Sequence, residues 1–317
     1  MMDRERLDNW CERGILGLVL AILVFGPLAM GGAEPAQFLV LQGLTAGVIA
    51  LWAIRFWVNP RLKLLWPPIC WAILVFAGYA IVRYLQADIE YVARQELIRI
   101  LVYTFLFFVI LNNLHRQEST QIIAMTVIFL GMAISLYAIW QFVMKSDKVW
   151  GYTNTYKGRA GGTFIYPNHL AAFLEMLLPL AICYMLVGRL SHLTKIFLGY
   201  AAVVMLVGVG VTLSRGGWLV TGIVLVAVCG VLLFQRNYRL QALVLLVFLI
   251  GAGFFALPKM SAMHERFQRA FMSGKADDLR FSIWRPAYQM WQDHFWVGAG
   301  PAHFDYLFRL YRPQDVQ

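Results

Sequence analysis

The chain has 317 residues, of which 60% are hydrophobic, 15% aromatic and only 14% charged, with a formal net charge of +10. A soluble domain carries about 25% charged residues, so the composition excludes one and points to a polytopic membrane protein. No nucleic-acid partner is expected, and membrane lipids are the unavoidable surroundings.

Nine apolar runs reach the roughly 17 to 25 residues that span a bilayer. They cover about 14–32, 36–54, 66–82, 97–114, 122–144, 169–188, 196–213, 218–234 and 242–257. Each is expected to be a helix, because lipid offers the backbone no hydrogen-bond partners. The first run follows Arg4, Arg6 and Arg13 and could pass for a signal peptide, with small residues around Ala29 to Ala33. Eight further spans make a signal anchor the simpler account. The expected fold is all-α, a transmembrane helix bundle over 1–257. The start of a large outer-face loop subdomain with amphipathic helices is expected over 258–317.

Loop charge sets the orientation. With a cytoplasmic amino terminus, the inner loops hold Arg55, Arg61 and Lys63, then Arg116, then Arg189 and Lys195, then Arg236 and Arg239, against one acid, Glu118. That agrees with the positive-inside rule. The outer side is also basic: Arg83, Arg94, Arg99, Lys145, Lys148, Lys157, Arg159 and Arg215, then a basic carboxyl-terminal segment. These charges fit either contacts with anionic head groups or an anionic ligand handled at the outer face.

Along the chain, Gly43 and Gly47 have the spacing of a close helix contact. An outer loop over 145–168 is rich in Tyr, Lys, Gly and Thr and precedes a span that contains Glu175 and Pro179. Further on, Trp284, Tyr288, Trp291 and Phe295 recur at helical spacing, with Pro286 placed in the first turn of that helix. Such a stripe suits a helix at the lipid–water boundary or, alternatively, a sugar-stacking surface. Cys11, Cys70, Cys183 and Cys229 are scattered, so they support neither a disulfide framework nor a metal site.

The sharpest local signal is Arg215, in Ser214-Arg215-Gly216-Gly217-Trp218 between two apolar runs. Its planar fork suits phosphate oxygens, and Gly216 and Gly217 would let the backbone turn and a ligand approach. An arginine snorkelling beside an interfacial Trp218 would look the same. Arg280 and Arg285 could help hold a pyrophosphate or be solvated charges. Glu175, inside a span, is a functional candidate or a partner for an arginine. Of the histidines placed outside, His169, His264, His294 and His303, an imidazole could activate a hydroxyl. None has a second ligand at metal spacing.

In order, Gly161-Gly162-Thr163-Phe164, Asn168-His169-Leu170-Ala171, Ser214-Arg215-Gly216-Gly217-Trp218, Arg280 with Trp284, and Gly298-Ala299-Gly300-Pro301 with Phe304 resemble the O-antigen ligase and polymerase family. The likeness covers about 155–310. It implies a metal-independent, inverting glycosyltransferase of the GT-C type, without cofactor, at the periplasmic face of a bacterial inner membrane. The donor implied is a glycan on undecaprenyl diphosphate. The acceptor is a hydroxyl on lipid A core, on a growing glycan or on a protein.

By the same resemblance Arg215 and Arg280 hold the diphosphate, with Arg285 and Arg159 as further cations and Ser214, Gly216, Gly217, Asn168 and His169 as supporting motif residues. The family places an essential histidine late in the outer loop, and no such motif occurs before Gln317. The expectation is therefore a chain that continues beyond this point, with His303 and Glu175 as the candidates for a base within it. The competing functions are a transporter or flippase for a lipid-linked glycan and a SEDS-type cell-wall polymerase.

Overall fold

A computed structural model describes residues 2–60, 63–153, 156–256 and 279–312. Within helices, the side chains of 2–3, 245, 248–250, 252–256 and 279–282 lie outside that description.

The chain is all-α and polytopic. Its helices are α1 (Met2–Leu28), α2 (Pro35–Val58), α3 (Ile69–Leu85), α4 (Glu90–Asn113), α5 (Gln117–Val143), α6 (Pro167–Val187), α7 (His192–Val211), α8 (Arg215–Phe234), α9 (Arg239–Ala256), α10 (Leu279–Asp293) and α11 (Phe304–Tyr311). Among the described residues seven helices, α1, α2 and α4 to α8, are long and apolar enough to cross a membrane, and α3 is shorter at 17 residues.

Helix ends depart from the apolar runs for local reasons. Trp66 to Pro68 lie outside α3, because Trp66 and Pro67 each precede a proline, which disfavours the helical backbone there. At the start of α4, Glu90 and Arg94 pair at 3.9 Å and Glu96 and Arg99 at 3.3 Å. Such pairs let a helix continue beyond its apolar part into a polar layer.

The chain divides into two compact units. The larger combines Arg13–Gly47 with His115–Met260. Its core is α5, α6 and α7, whose fully buried side chains include Ile128, Ile134, Leu170, Leu174, Leu198 and Met205. Small residues let these helices approach. A Cβ on Gly131 would stand 2.7 Å from Leu177 Cδ1, and one on Gly208 would stand 2.6 Å from Ser135 Oγ. Of the Gly43 and Gly47 pair, only Gly47 faces a neighbour, since its Cβ would lie 3.3 Å from Leu18 Cδ1.

The loop after α5 carries the only strands among the described residues, β1 (Lys148–Val149) and β2 (Tyr152–Thr153), paired antiparallel. Their turn, Trp150 and Gly151, has φ of 49° and 90°, the left-handed pair a tight hairpin requires.

The second unit combines Met1–Glu12, Val48–Leu114 and Ser261–Gln317. Its polar end is organised by Arg55, which is 5% exposed. The guanidinium donates to Asp8 Oδ1 at 2.7 Å, Glu12 Oε2 at 3.1 Å and Asn113 Oδ1 at 2.8 Å. Asn59 also donates to Asp8 Oδ2 at 3.1 Å, and Asn112 accepts from the Leu65 N–H at 2.7 Å. Arg55 thereby ties α1 to the ends of α2 and α4, and Asn112 holds the loop at Leu65. In the carboxyl-terminal part α10 packs on α11. Tyr311 donates to Asp293 at 2.7 Å, a bond that raises the phenol's pKa. Pro286 lies inside α10, not in its first turn; it leaves one carbonyl of the preceding turn without its helical donor.

Candidate functional site

The turn between α7 and α8 is built from side chains that cap both helices. Thr212 donates to the Val209 carbonyl at 2.7 Å and accepts from the Ser214 N–H at 3.2 Å. Ser214 caps α8 by accepting from the Gly217 N–H at 3.2 Å, the ordinary role of a serine at that position. Thr212 and Ser214 are both buried.

The reversal itself falls on Leu213, at φ 50°, which corrects the expectation that the glycines make the turn. Leu213 is buried, so packing holds it in a region that non-glycine residues rarely enter.

The two glycines do different work. A Cβ on Gly217 would lie 2.8 Å from Ala171 Cβ and 3.1 Å from Glu175 Oε1, so this glycine lets α8 press against α6. Among the described residues a Cβ on Gly216 would meet nothing within 4 Å, so they leave the space over this residue open. Arg215 stands exposed at the first position of α8. A cation there opposes the positive end of the helix dipole, whereas an anion would be favoured. Guanidinium and helix terminus therefore act together on negative charge.

Arg159 braces the turn from outside. Its Nε donates to the Thr212 carbonyl at 2.8 Å and its Nη2 to Asn168 Oδ1 at 2.7 Å, while the Tyr156 ring lies 5.9 Å from its Cζ. The backbone alongside joins in, with Ala160 N–H donating to the Val211 carbonyl at 3.1 Å. His169 is exposed beside Tyr166, with ring centroids 5.1 Å apart.

The Gly161-Gly162-Thr163-Phe164 string is buried for structural reasons. Gln141 donates to the Gly162 carbonyl at 3.0 Å and accepts its N–H at 2.9 Å, and Thr163 donates to the Pro27 carbonyl at 2.7 Å. Gly162 has φ 60°, a conformation glycine adopts without cost. Gln141 went unnoticed in the sequence; a lone amide near the end of an apolar run was the available signal.

Thus Arg159, Asn168, Ser214, Arg215, Gly216, Gly217 and Glu175 are brought together in one unit, with His169 nearby. Arg285 is exposed on α10 in the other unit, whose helix also contains the Arg280 backbone; the Arg280 side chain lies outside the described residues, as does His264.

His303 is 0% exposed. Its Nε2 accepts from the Ile89 N–H at 3.1 Å and its Nδ1 bonds the Pro301 carbonyl at 2.7 Å, so the tautomer that satisfies both carries its proton on Nδ1. Both ring nitrogens are engaged within the protein. Arg83, one of the cations that loop charge assigns to the outer side, is also buried, donating to the Gly298 carbonyl at 2.8 Å and to Gln86 Oε1 at 2.9 Å.

Residues 200–317 match the O-antigen ligase family model. Over those residues the chain is similar to the O-antigen ligases. No curated protein and no solved structure matches it. The matched O-antigen ligase region contains the Arg215 turn, α10 and α11, while Arg159, Asn168 and Glu175 lie ahead of it. The seven spanning-length helices make this a multi-pass membrane protein, with its likeness to O-antigen ligases confined to residues 200–317.

Proposed function

We infer that the chain takes a glycan from an undecaprenyl diphosphate carrier and transfers it to an acceptor hydroxyl on a lipid, a glycan or a protein. The site faces the periplasm of a bacterial inner membrane, and residues 258–317 begin an outer-face subdomain. Arg215 grips the diphosphate, with Arg159 of the same unit as a further cation; Arg280 and Arg285 are the carboxyl-terminal candidates for the same ligand chemistry. The observation that carries this is the α7–α8 turn: an exposed guanidinium at a helix amino terminus, braced through Arg159, with open space over Gly216.

In the reaction the acceptor oxygen attacks the anomeric carbon as its bond to the diphosphate oxygen breaks. Configuration inverts in this single displacement. The hydroxyl proton passes to a base, and the diphosphate leaves with added negative charge. Fixed donors placed where that charge develops lower the barrier, and guanidinium groups supply them without an added metal ion. Of the two candidate bases within these residues, Glu175 stands beside the Arg215 turn, against Gly217. The ring nitrogens of His303 are already in use.

The test is glycan transfer in membranes supplied with lipid diphosphate-linked donor and acceptor. Arg215→Ala should lower transfer by about 100- to 1,000-fold, the usual loss for one donor at a developing oxyanion, while the amount inserted in the membrane is unchanged. Arg215→Lys should also be impaired, because an ammonium keeps the charge and loses the two-pronged fork. Full activity in both variants contradicts the assignment. Carrier moved across vesicles with its glycan intact would identify a transporter instead.

A further inference from the structure

The segment after α10 is fastened to the ends of two helices. Tyr79 donates its hydroxyl to the Val297 carbonyl at 2.9 Å, Arg83 donates to the Gly298 carbonyl at 2.8 Å, and the Ile89 N–H donates to His303 Nε2 at 3.1 Å. Tyr79 and Arg83 belong to the last two turns of α3, and Ile89 is the residue that begins α4. Gly298, Gly300 and Ala302 take φ of 69°, 124° and 54°, so the backbone folds tightly into this corner.

That fastening sets a depth. A helix as short as α3 extends about 25 Å at ~1.5 Å per residue, less than the roughly 30 Å of a bilayer's hydrocarbon core. Arg83, Gln86 and Asp88 close this end of α3, the polar pattern of a helix reaching the head groups, and Tyr79 and Arg83 tie the Val297 and Gly298 carbonyls to that end.

The two helices that leave this point carry exposed apolar side chains. On α10 and just past it, Trp284, Tyr288, Trp291, Phe295 and Trp296 are exposed, Trp296 at 89%. Met290 and Pro286 turn inward, and Arg285, Gln289 and Gln292 occupy a third, polar face. On α11, Phe304, Tyr306 and Leu310 are exposed as well.

A contiguous apolar surface of this size is not left in water without a partner. The rings also pack on one another: Trp291 and Phe295 centroids are 4.7 Å apart at 60°, and Phe295 and Trp296 meet edge-on at 5.2 Å and 89°. Rings so tilted form a continuous ridge, not a flat platform on which a sugar face stacks. Aromatic ridges flanked by cations are the composition that settles at a lipid interface.

We propose that α10 and α11 lie in the interfacial layer of the leaflet at which α3 ends, aromatic ridge toward the acyl chains, with the lipid surface as their partner and Tyr79, Arg83 and His303 setting their depth. The proposal rests on the chain crossing the membrane and not on the transfer reaction, so the two can fail separately.

The test uses the full chain in phospholipid vesicles, with Cys11, Cys70, Cys183 and Cys229 replaced by alanine and a nitroxide placed at one position. Labels on Tyr288→Cys and Trp296→Cys should relax more strongly with oxygen than with a water-soluble nickel chelate; labels on Gln289→Cys and Gln292→Cys should show the reverse. Adding Tyr79→Phe with Arg83→Gln should shrink that contrast. The unsubstituted chain with diazirine-bearing lipid should be photolabelled within 284–297, a check that needs no cysteine variant. Equal collision ratios at all four positions with no photolabelling there, or a contrast that appears only on adding an oligosaccharide, would overturn the proposal.

Discussion

Two arginines at helix ends show how differently the same charge is used. Arg55, in the second unit, is buried and distributes its donors over Asp8, Glu12 and Asn113. Arg215, in the larger unit, stands exposed at the start of α8 beside open space over Gly216. The first holds helix ends together, and the second presents charge outward. Both are single cations at the edge of apolar runs; what separates them is the carboxylates near Arg55 in space and the helix terminus under Arg215.

The largest effect that would break this comparison is expected at the first site. Arg55→Ala leaves Asp8 and Glu12 partly buried without their cation, a loss of about 3 to 5 kcal/mol for a buried pair. Thermal unfolding in detergent should show it, with transfer per folded molecule unchanged. A variant as stable as the wild type would mean that Arg55 is no more a tie than any surface charge.

The neighbouring glycines sharpen the second site. Gly217→Ala drives a methyl toward Ala171 and Glu175 and should cost about 1 to 3 kcal/mol, as overpacking does, seen as a lower unfolding temperature. Gly216→Ala meets open space and gains helix propensity of up to ~1 kcal/mol. Its stability should hold or rise while transfer falls several-fold, because the methyl occupies the approach to the turn. Equal behaviour of the two variants, in stability and in transfer, would erase the distinction between the packing glycine and the open one.

Much of this could be read from the sequence, and the reasons for the rest are physical. Apolar runs of spanning length announce helices because lipid leaves the backbone no alternative, and Arg215 between two such runs is visible for the same reason. The pairing of Arg55 with Asp8 is a contact across 47 residues, which periodicity within one helix does not report. Asp8 and Glu12 one turn apart, Arg55 and Asn59 likewise, and Asn112 with Asn113 at the end of a span were its only traces. The reversal at Leu213 was hidden because burial, and not residue type, imposes the conformation there. His303 looked like a base because it is a histidine; its two hydrogen bonds come from backbone groups that no side-chain pattern reveals.

The central claim is that the Arg215 turn recognises a diphosphate, and binding tests it more directly than turnover does. Purified protein in nanodiscs can be titrated with undecaprenyl diphosphate and with the monophosphate, and complexes counted by native mass spectrometry. The account predicts that the wild type prefers the diphosphate and that Arg215→Ala weakens diphosphate binding about tenfold or more, as loss of a charge-assisted hydrogen bond of ~1.5 to 3 kcal/mol requires. Equal affinity of wild type and variant for the diphosphate would contradict it.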